Sequence, residues 1–179
     1  FQLVESLDAG PVYRSMMVPI GSTTTAGELL DELARTATPL VIDTLKDIEA
    51  GVEPTPQSVE GVTIAPQIHP GDVRIAVTSA AEEIDHLVRG ASPAPGAWAE
   101  LSDKRFKILR TRCLEAGDRV PSTVATAQPG QLVATRKQLF LGTGSQPLEL
   151  LQVQAFGKKV MSGADWARGA DIDAGTRLR

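Results

Sequence analysis

The sequence predicts two unlike parts: an α/β segment over residues 1–53 and a mainly β part, a small barrel, over residues 73–179. Three observations lead there. Capping signals and apolar residues at helical spacing fill residues 25–51. A proline-rich stretch without periodicity follows, with Pro54, Pro56, Pro66 and Pro70 among few apolar runs, and residues 54–72 read as an extended linker. From residue 97 onward, short apolar runs recur between Gly, Asp and Ser turns, the pattern of a small barrel.

In order, VYRSMMVPI (12–20) is strand-like and bounded by Pro11 and Gly21. Thr25 and Glu28 form a capping box, and Leu29, Leu30, Leu33 and Ala34 fall on one helical face. A second helix is expected from Thr38, with Pro39 at its first position and Gly51 as its left-handed stop. After the linker, Ser79 and Glu82 predict a capping box for a helix that turns Ala81, Ile84, Leu87 and Val88 inward. Strands are expected at 97–101, 104–114, 130–135, 138–142 and 147–154, and ADWARG closes the pattern as a short helix.

At 179 residues, 42% of them apolar and 22% charged, the chain has the balance of a globular protein able to bury a real core. No apolar run approaches the ~18 residues of a membrane span, and residues 1–20 do not read as a signal peptide. The single cysteine, Cys113, permits no internal disulfide and is expected half-buried in a strand, in keeping with a reducing cytoplasm. With His69 and His86 far from it in sequence, no metal-ligand spacing exists and no metal is expected.

The net charge of −4 hides an asymmetry. Residues 1–98 carry 14 acidic and 5 basic side chains, whereas residues 99–179 carry 8 acidic and 13 basic ones. A basic C-terminal half suits contact with a polyanion, the other reading being solvated surface charge. The candidates there are Arg105, Lys107 and Arg110 along KRFKILRTR, Arg136 and Lys137 in a hairpin turn, and Lys158 and Lys159 in a Gly-led loop. Strand alternation puts the first group on both faces, so not all can meet one ligand. Aromatic residues make up only 4%, few for a stacking single-strand binder, so any nucleic acid bound is expected to be held by backbone and shape rather than by splayed bases.

Taken in order, LDAGPVY, TAGELLDELA, EPTPQ, VTIAPQI, DHLVRGASPAPGAW and LLQVQAFGKKVMSGADWARG resemble the methionyl-tRNA formyltransferase family from residue 1 to about 170. The resemblance implies an enzyme that moves a formyl group from 10-formyltetrahydrofolate to the methionine amine of initiator tRNA. It implies a Rossmann-like catalytic domain ending in residues 1–53, then the linker, then a tRNA-binding barrel of oligonucleotide/oligosaccharide-binding (OB) type. It also implies a cytoplasmic monomer that acts on tRNA, with no DNA, membrane or metal partner. Asp8 in LDAG matches the family's catalytic aspartate, with Ala9 where Thr is usual; the family's Asn-x-His pair and most of its folate pocket would lie upstream. The chain is thus expected to be a C-terminal portion, inactive alone. Lys158, Lys159 and Arg89 match the family's motifs, Arg89 also standing at helical spacing from Asp85. The chain departs from the family at Gln67, at RIAV (74–77) and at Ala94. Two other readings stay open: a related folate-dependent enzyme acting on a small molecule, and a stand-alone RNA-binding module.

Overall fold

A computed structural model describes residues 1–179 and divides them into two units: Phe1–Thr24 with Glu28–Gln67, and Thr25–Gly27 with Ile68–Arg179.

Helix α1 (Ala26–Glu49) starts directly after Thr25, as the cap signal predicts, and from Glu28 onward it is the only helix of the first unit. It then runs through Pro39 as one 24-residue helix, where two helices were expected. Pro39 has no N–H to give to the Arg35 carbonyl. Around it, the hydroxyls of Thr36, Thr38 and Thr44 donate to the carbonyls of Glu32, Ala34 and Leu40 at 2.8, 3.4 and 2.8 Å. No glycine lies between Gly27 and Gly51 to stop the helix, so one lost bond is tolerated. Gly51, at φ +76°, ends it: its N–H donates to Ile48 and that of Val52 to Asp47, the paired bonds of a Schellman turn.

The expected strand over 12–20 does not form. Val12 alone exchanges backbone bonds with Thr55, at 2.8 and 2.9 Å, and no other segment offers a ladder; Pro19 removes a further donor. Arg14 instead forms ion pairs with Asp47 and Asp43 of α1. The helix buries none of its residues, and Val41, Ile42 and Leu45 are each more than half exposed.

The second unit is an antiparallel sheet with two helices on it. Its strands are β1 (Ala97–Leu101), β2 (Lys104–Cys113), β3 (Leu132–Ala134), β4 (Leu139–Leu141), β5 (Leu148–Gln154) and β6 (Met161–Ser162). The order is β1-β2-β5-β4-β3, with β6 paired to β5. Five of the six lie inside the ranges predicted from sequence; β6, two residues long, gave no periodic signal. Ser102 and Asp103, both at positive φ, make the two-residue turn between β1 and β2. Phe106, Ile108, Leu132, Leu139, Leu141, Leu148, Leu150 and Val153 form the dry centre, and Trp166 tilts against Phe106 at 4.6 Å.

Helix α2 (Ala81–Ala91) buries Ala81, Ile84, Val88 and Ala91 against this core, with Leu87 half-buried. Its cap lies one residue later than predicted. The Glu83 carboxylate, not that of Glu82, accepts the Ala80 N–H at 3.2 Å, and the hydroxyl on Ala81 N–H comes from Ser145 at 3.0 Å. A distant loop supplies the capping oxygen, which no local motif can register. A short turn of helix, α3 (Ser122–Ala125), precedes β3 and was also unforeseen. Helix α4 (Gly163–Gly169) is capped by Ser162, whose hydroxyl accepts the Asp165 N–H at 3.0 Å.

The two outer strands do not remain bare. Arg179 exchanges backbone bonds with Glu100 of β1 at 2.7 and 2.9 Å. On the other side, Leu178 N–H donates to Gly130 and Leu132 N–H of β3 donates to Thr176, at 2.8 and 3.0 Å. Residues 176–179 therefore lace β1 to β3, with Leu178 2% exposed, and cover edges that would otherwise offer unpaired amides.

Candidate functional site

Asp8 lies in a loop built backbone bond by backbone bond. Gln2 N–H donates to Pro11 O at 2.9 Å and closes the loop at its base. A Cβ on Gly10 would sit 1.7 Å from the Gln2 carbonyl oxygen, so glycine alone permits that approach. Asp8 itself has φ +52°, in the left-handed region that Asp tolerates better than most residues. From the 54–57 segment, the Gln57 amide donates to the carbonyls of both Asp8 and Gly10, at 2.8 and 2.6 Å. The Asp8 side chain is left exposed.

The unit that holds Asp8 contains no histidine. The sequence contains no asparagine. His69 and His86 are both exposed, and His69 is engaged with Asp72, 3.7 Å away.

The predicted basic residues fall into two groups. Lys158 and Lys159 are exposed in the loop between β5 and β6, held by Lys158 N–H on Ala155 O and by Gln154 Nε2 on Lys158 O, both at 3.0 Å. Arg136 and Lys137 are exposed at the β3–β4 turn, which the Thr135 N–H to Gln138 O bond closes at 2.9 Å. Arg105 is exposed on β2, its guanidinium 4.6 Å from the Trp98 ring centroid. The other predicted residues are engaged or half-buried. Arg89 is bound to Asp85 at 2.8 Å with its side chain 18% exposed, so its family match corresponds here to an internal ion pair. The Lys107 ammonium donates to Pro95 O at 2.8 Å, and Arg110 is half-buried and also engaged. Within KRFKILRTR only Lys104 and Arg105, at the hairpin end of β2, are exposed; the later positions are buried or half-buried, in keeping with the expectation that not all of these cations can meet one ligand.

Several residues escaped the sequence reading. Arg74 also lies against Trp98, at 5.3 Å, and pairs with Glu100 at 3.4 Å. The Trp98 indole N–H donates to Pro70 O at 2.6 Å. Asp85, besides Arg89, accepts from Thr111 at 2.6 Å. Arg112 binds Glu149 and Asp118 at 2.8 and 2.7 Å and so is not a free cation. Burial first, and then the carboxylates of Asp85 and Glu82, push the Cys113 thiol up, and the half-buried strand position predicted for it holds. A cavity of about 460 Å³ lies beside the C-terminal lacing, lined by Glu100, Asp103, Asp173, Arg177 and Arg179 among others, with both charges on its walls. No helix is long and apolar enough to cross a membrane.

Residues 67–171 match the formyl transferase C-terminal domain family, and the chain belongs to that family. Its relatives are more particular. It is 88% identical over 179 residues to a methionyl-tRNA formyltransferase of Cutibacterium acnes, covering all of this chain and 57% of that protein. Those of Thermobifida fusca and Streptomyces coelicolor are 42% and 44% identical, each over 99% of this chain and 56% of their own length. The chain thus spans a little over half the length of the curated relatives it matches. Among solved structures, a variant of HypX from Aquifex aeolicus superposes with a TM-score of 0.72 at 19% identity, over 96% of this chain and 30% of that one. HypX solved in complex with tetrahydrofolic acid gives 0.71 at 18% identity, over 91% and 28%. At those identities the likeness is one of fold.

Proposed function

We propose that this chain is the C-terminal part of a methionyl-tRNA formyltransferase, an enzyme of translation initiation. The observation that carries the reading is the 88% identity to such an enzyme along the whole chain. In this reading, residues 1–53 end a Rossmann-like catalytic domain, residues 54–72 form the linker, and residues 73–179 form an OB-like barrel that holds the tRNA. The formyl donor is 10-formyltetrahydrofolate, a choice supported by the tetrahydrofolic acid bound to HypX. The protein works as a monomer in the cytoplasm, without metal, on tRNA and not on DNA or membrane.

The methionine amine nitrogen bonds to the formyl carbon while the bond from that carbon to folate N10 breaks. The proton lost by the amine ends on the departing N10, so the exchange balances. Asp8 orients and charge-balances the histidine that carries this proton and that belongs to the part of the enzyme outside this chain. Lys158, Lys159, Arg136, Lys137 and Arg105 are exposed cations and serve as phosphate contacts, which fix the tRNA without reading bases. Arg89, Lys107 and Arg110 support the surface instead, consistent with the partners the first two already hold.

The test is formyl transfer by a full-length polypeptide carrying this sequence, supplied with 10-formyltetrahydrofolate and methionyl initiator tRNA. Formyl-methionine recovered from the tRNA is the expected product. Formylation of a free small amine with methionyl-tRNA left untouched would overturn the reading.

A further inference from the structure

The Gln57 amide is placed to do one thing, which is to hold the turn that carries Asp8. Its Nε2 faces two carbonyl oxygens, those of Asp8 and Gly10, at 2.8 and 2.6 Å. Carbonyls only accept, so the NH₂ end of the side chain must face them, and both of its hydrogens are used. The bonds span 49 and 47 residues of sequence. They tie the proline-rich 54–57 segment to a turn whose central residue sits at φ +52°.

A left-handed non-glycine residue carries a backbone cost, smaller for Asp than for most, that its surroundings must offset. Here the surroundings are the Gln2–Pro11 bond, the lack of space at Gly10, the Val12–Thr55 exchange and the Gln57 clamp. The first three fix the ends of the loop. Only Gln57 grips the peptide at Asp8 itself.

We infer that Gln57 is a positioning residue for the reaction: its amide sets the backbone at Asp8 and so the aim of the Asp8 carboxylate. This rests on the formyltransferase reading of Asp8 above. The consequence is specific. Gln57 matters to the rate only as long as Asp8 carries a carboxylate.

The experiment compares Gln57→Glu, Asp8→Asn and the double variant in the full-length enzyme, with kcat and KM for tRNA and folate. Gln57→Glu keeps the shape but turns an acceptor onto two carbonyl oxygens. Asp8→Asn keeps a residue suited to positive φ and removes the charge. Misaim of a reacting group by about 1 Å costs on the order of 100-fold, so Gln57→Glu lowers kcat by roughly 10- to 100-fold with KM nearly unchanged. In the Asp8→Asn background the same change adds less than about threefold, the non-additivity of two residues acting as one unit. Gln57→Ala, with thermal melts of every variant, guards against misfolding. Equal losses in both backgrounds, a wild-type kcat in Gln57→Glu or Asp8→Asn, or a loss confined to KM would overturn the inference and leave the formyl-transfer reading standing. No transfer by the unsubstituted enzyme would overturn both.

Discussion

Arg112 and Glu149 stand opposite each other on β2 and β5, guanidinium Nε 2.8 Å from carboxylate Oε2, with the carboxylate side chain only 9% exposed. Gln138 donates to the other oxygen of Glu149 at 2.9 Å, and Arg112 reaches on to Asp118. One buried carboxylate thereby joins β2, the β3–β4 hairpin and the 114–121 loop.

Arg112→Ala leaves Glu149 buried with one partner fewer, at a cost of roughly 1–3 kcal/mol. Urea unfolding with an unchanged slope should register it. Adding Glu149→Gln to Arg112→Ala should recover most of the loss, since it removes the uncompensated buried charge and keeps an oxygen to accept from Gln138. A double variant weaker than Arg112→Ala would refute this account.

The acid limb of stability should follow Asp118 and Asp173. The Glu115 N–H and then Arg112 hold the Asp118 carboxyl below its usual range; the Thr176 hydroxyl and then the Gly175 N–H do so for Asp173. A lowered folded value means that the unfolded chain takes up protons first as pH falls. The contribution is therefore fully present above roughly pH 4 and fades as pH drops through the lower folded values. Thermal melts from about pH 6 to pH 2 should show a shallower acid slope in Asp118→Asn and in Asp173→Asn. Slopes identical to the parent would contradict the assignment.

Leu178→Ala should cost roughly 2–5 kcal/mol, the range for a buried leucine truncated in a core. Hydrogen exchange at the amides of Glu100 and Leu132, which bond to Arg179 and Thr176, should accelerate together. Faster exchange at only one edge would mean that the tail does not lace the two strands as a unit.

Lys158→Ala/Lys159→Ala should weaken binding of initiator tRNA by this chain and flatten its salt dependence. Each phosphate contact contributes about 0.9 to the slope of log K against log salt, so the double change should lower it by up to ~2. The Arg89→Gln variant, by contrast, should leave the slope unaltered and reduce stability instead. The same slope for the double variant and the parent would remove these lysines from the interface.

Much of the fold was legible from periodicity and turn chemistry. The strands from 97 to 154, the inward face of α2 and the Gly51 stop all depend on side chains near one another in sequence, where spacing carries the information. The single α1 was not legible, because Pro39 is a good first residue for a helix and a tolerable interior one; intact turns on both sides decided between them. The 12–20 strand failed for the opposite reason: strand propensity is realised only where a partner ladder exists, and Thr55 is the one partner in reach.

The candidate site divides along the same line. Sequence alone determined that Asp8 sits in a tight Gly-Pro turn, that Lys158, Lys159, Arg136 and Lys137 crown turns, and that positive charge gathers after residue 98. Turns and termini of strands are exposed whatever the topology, so these placements needed no third dimension. Only tertiary structure decided which cations are already spent. Arg89 on Asp85, Arg112 on Glu149 and Lys107 on Pro95 are neutralised or held by groups that sequence cannot bring near, apart from the i,i+4 pair at Asp85. It also decided that Gln57, 49 residues from Asp8, grips the turn that presents it. A hydrogen bond acts over about 3 Å, and only the folded backbone says which residues come within that distance.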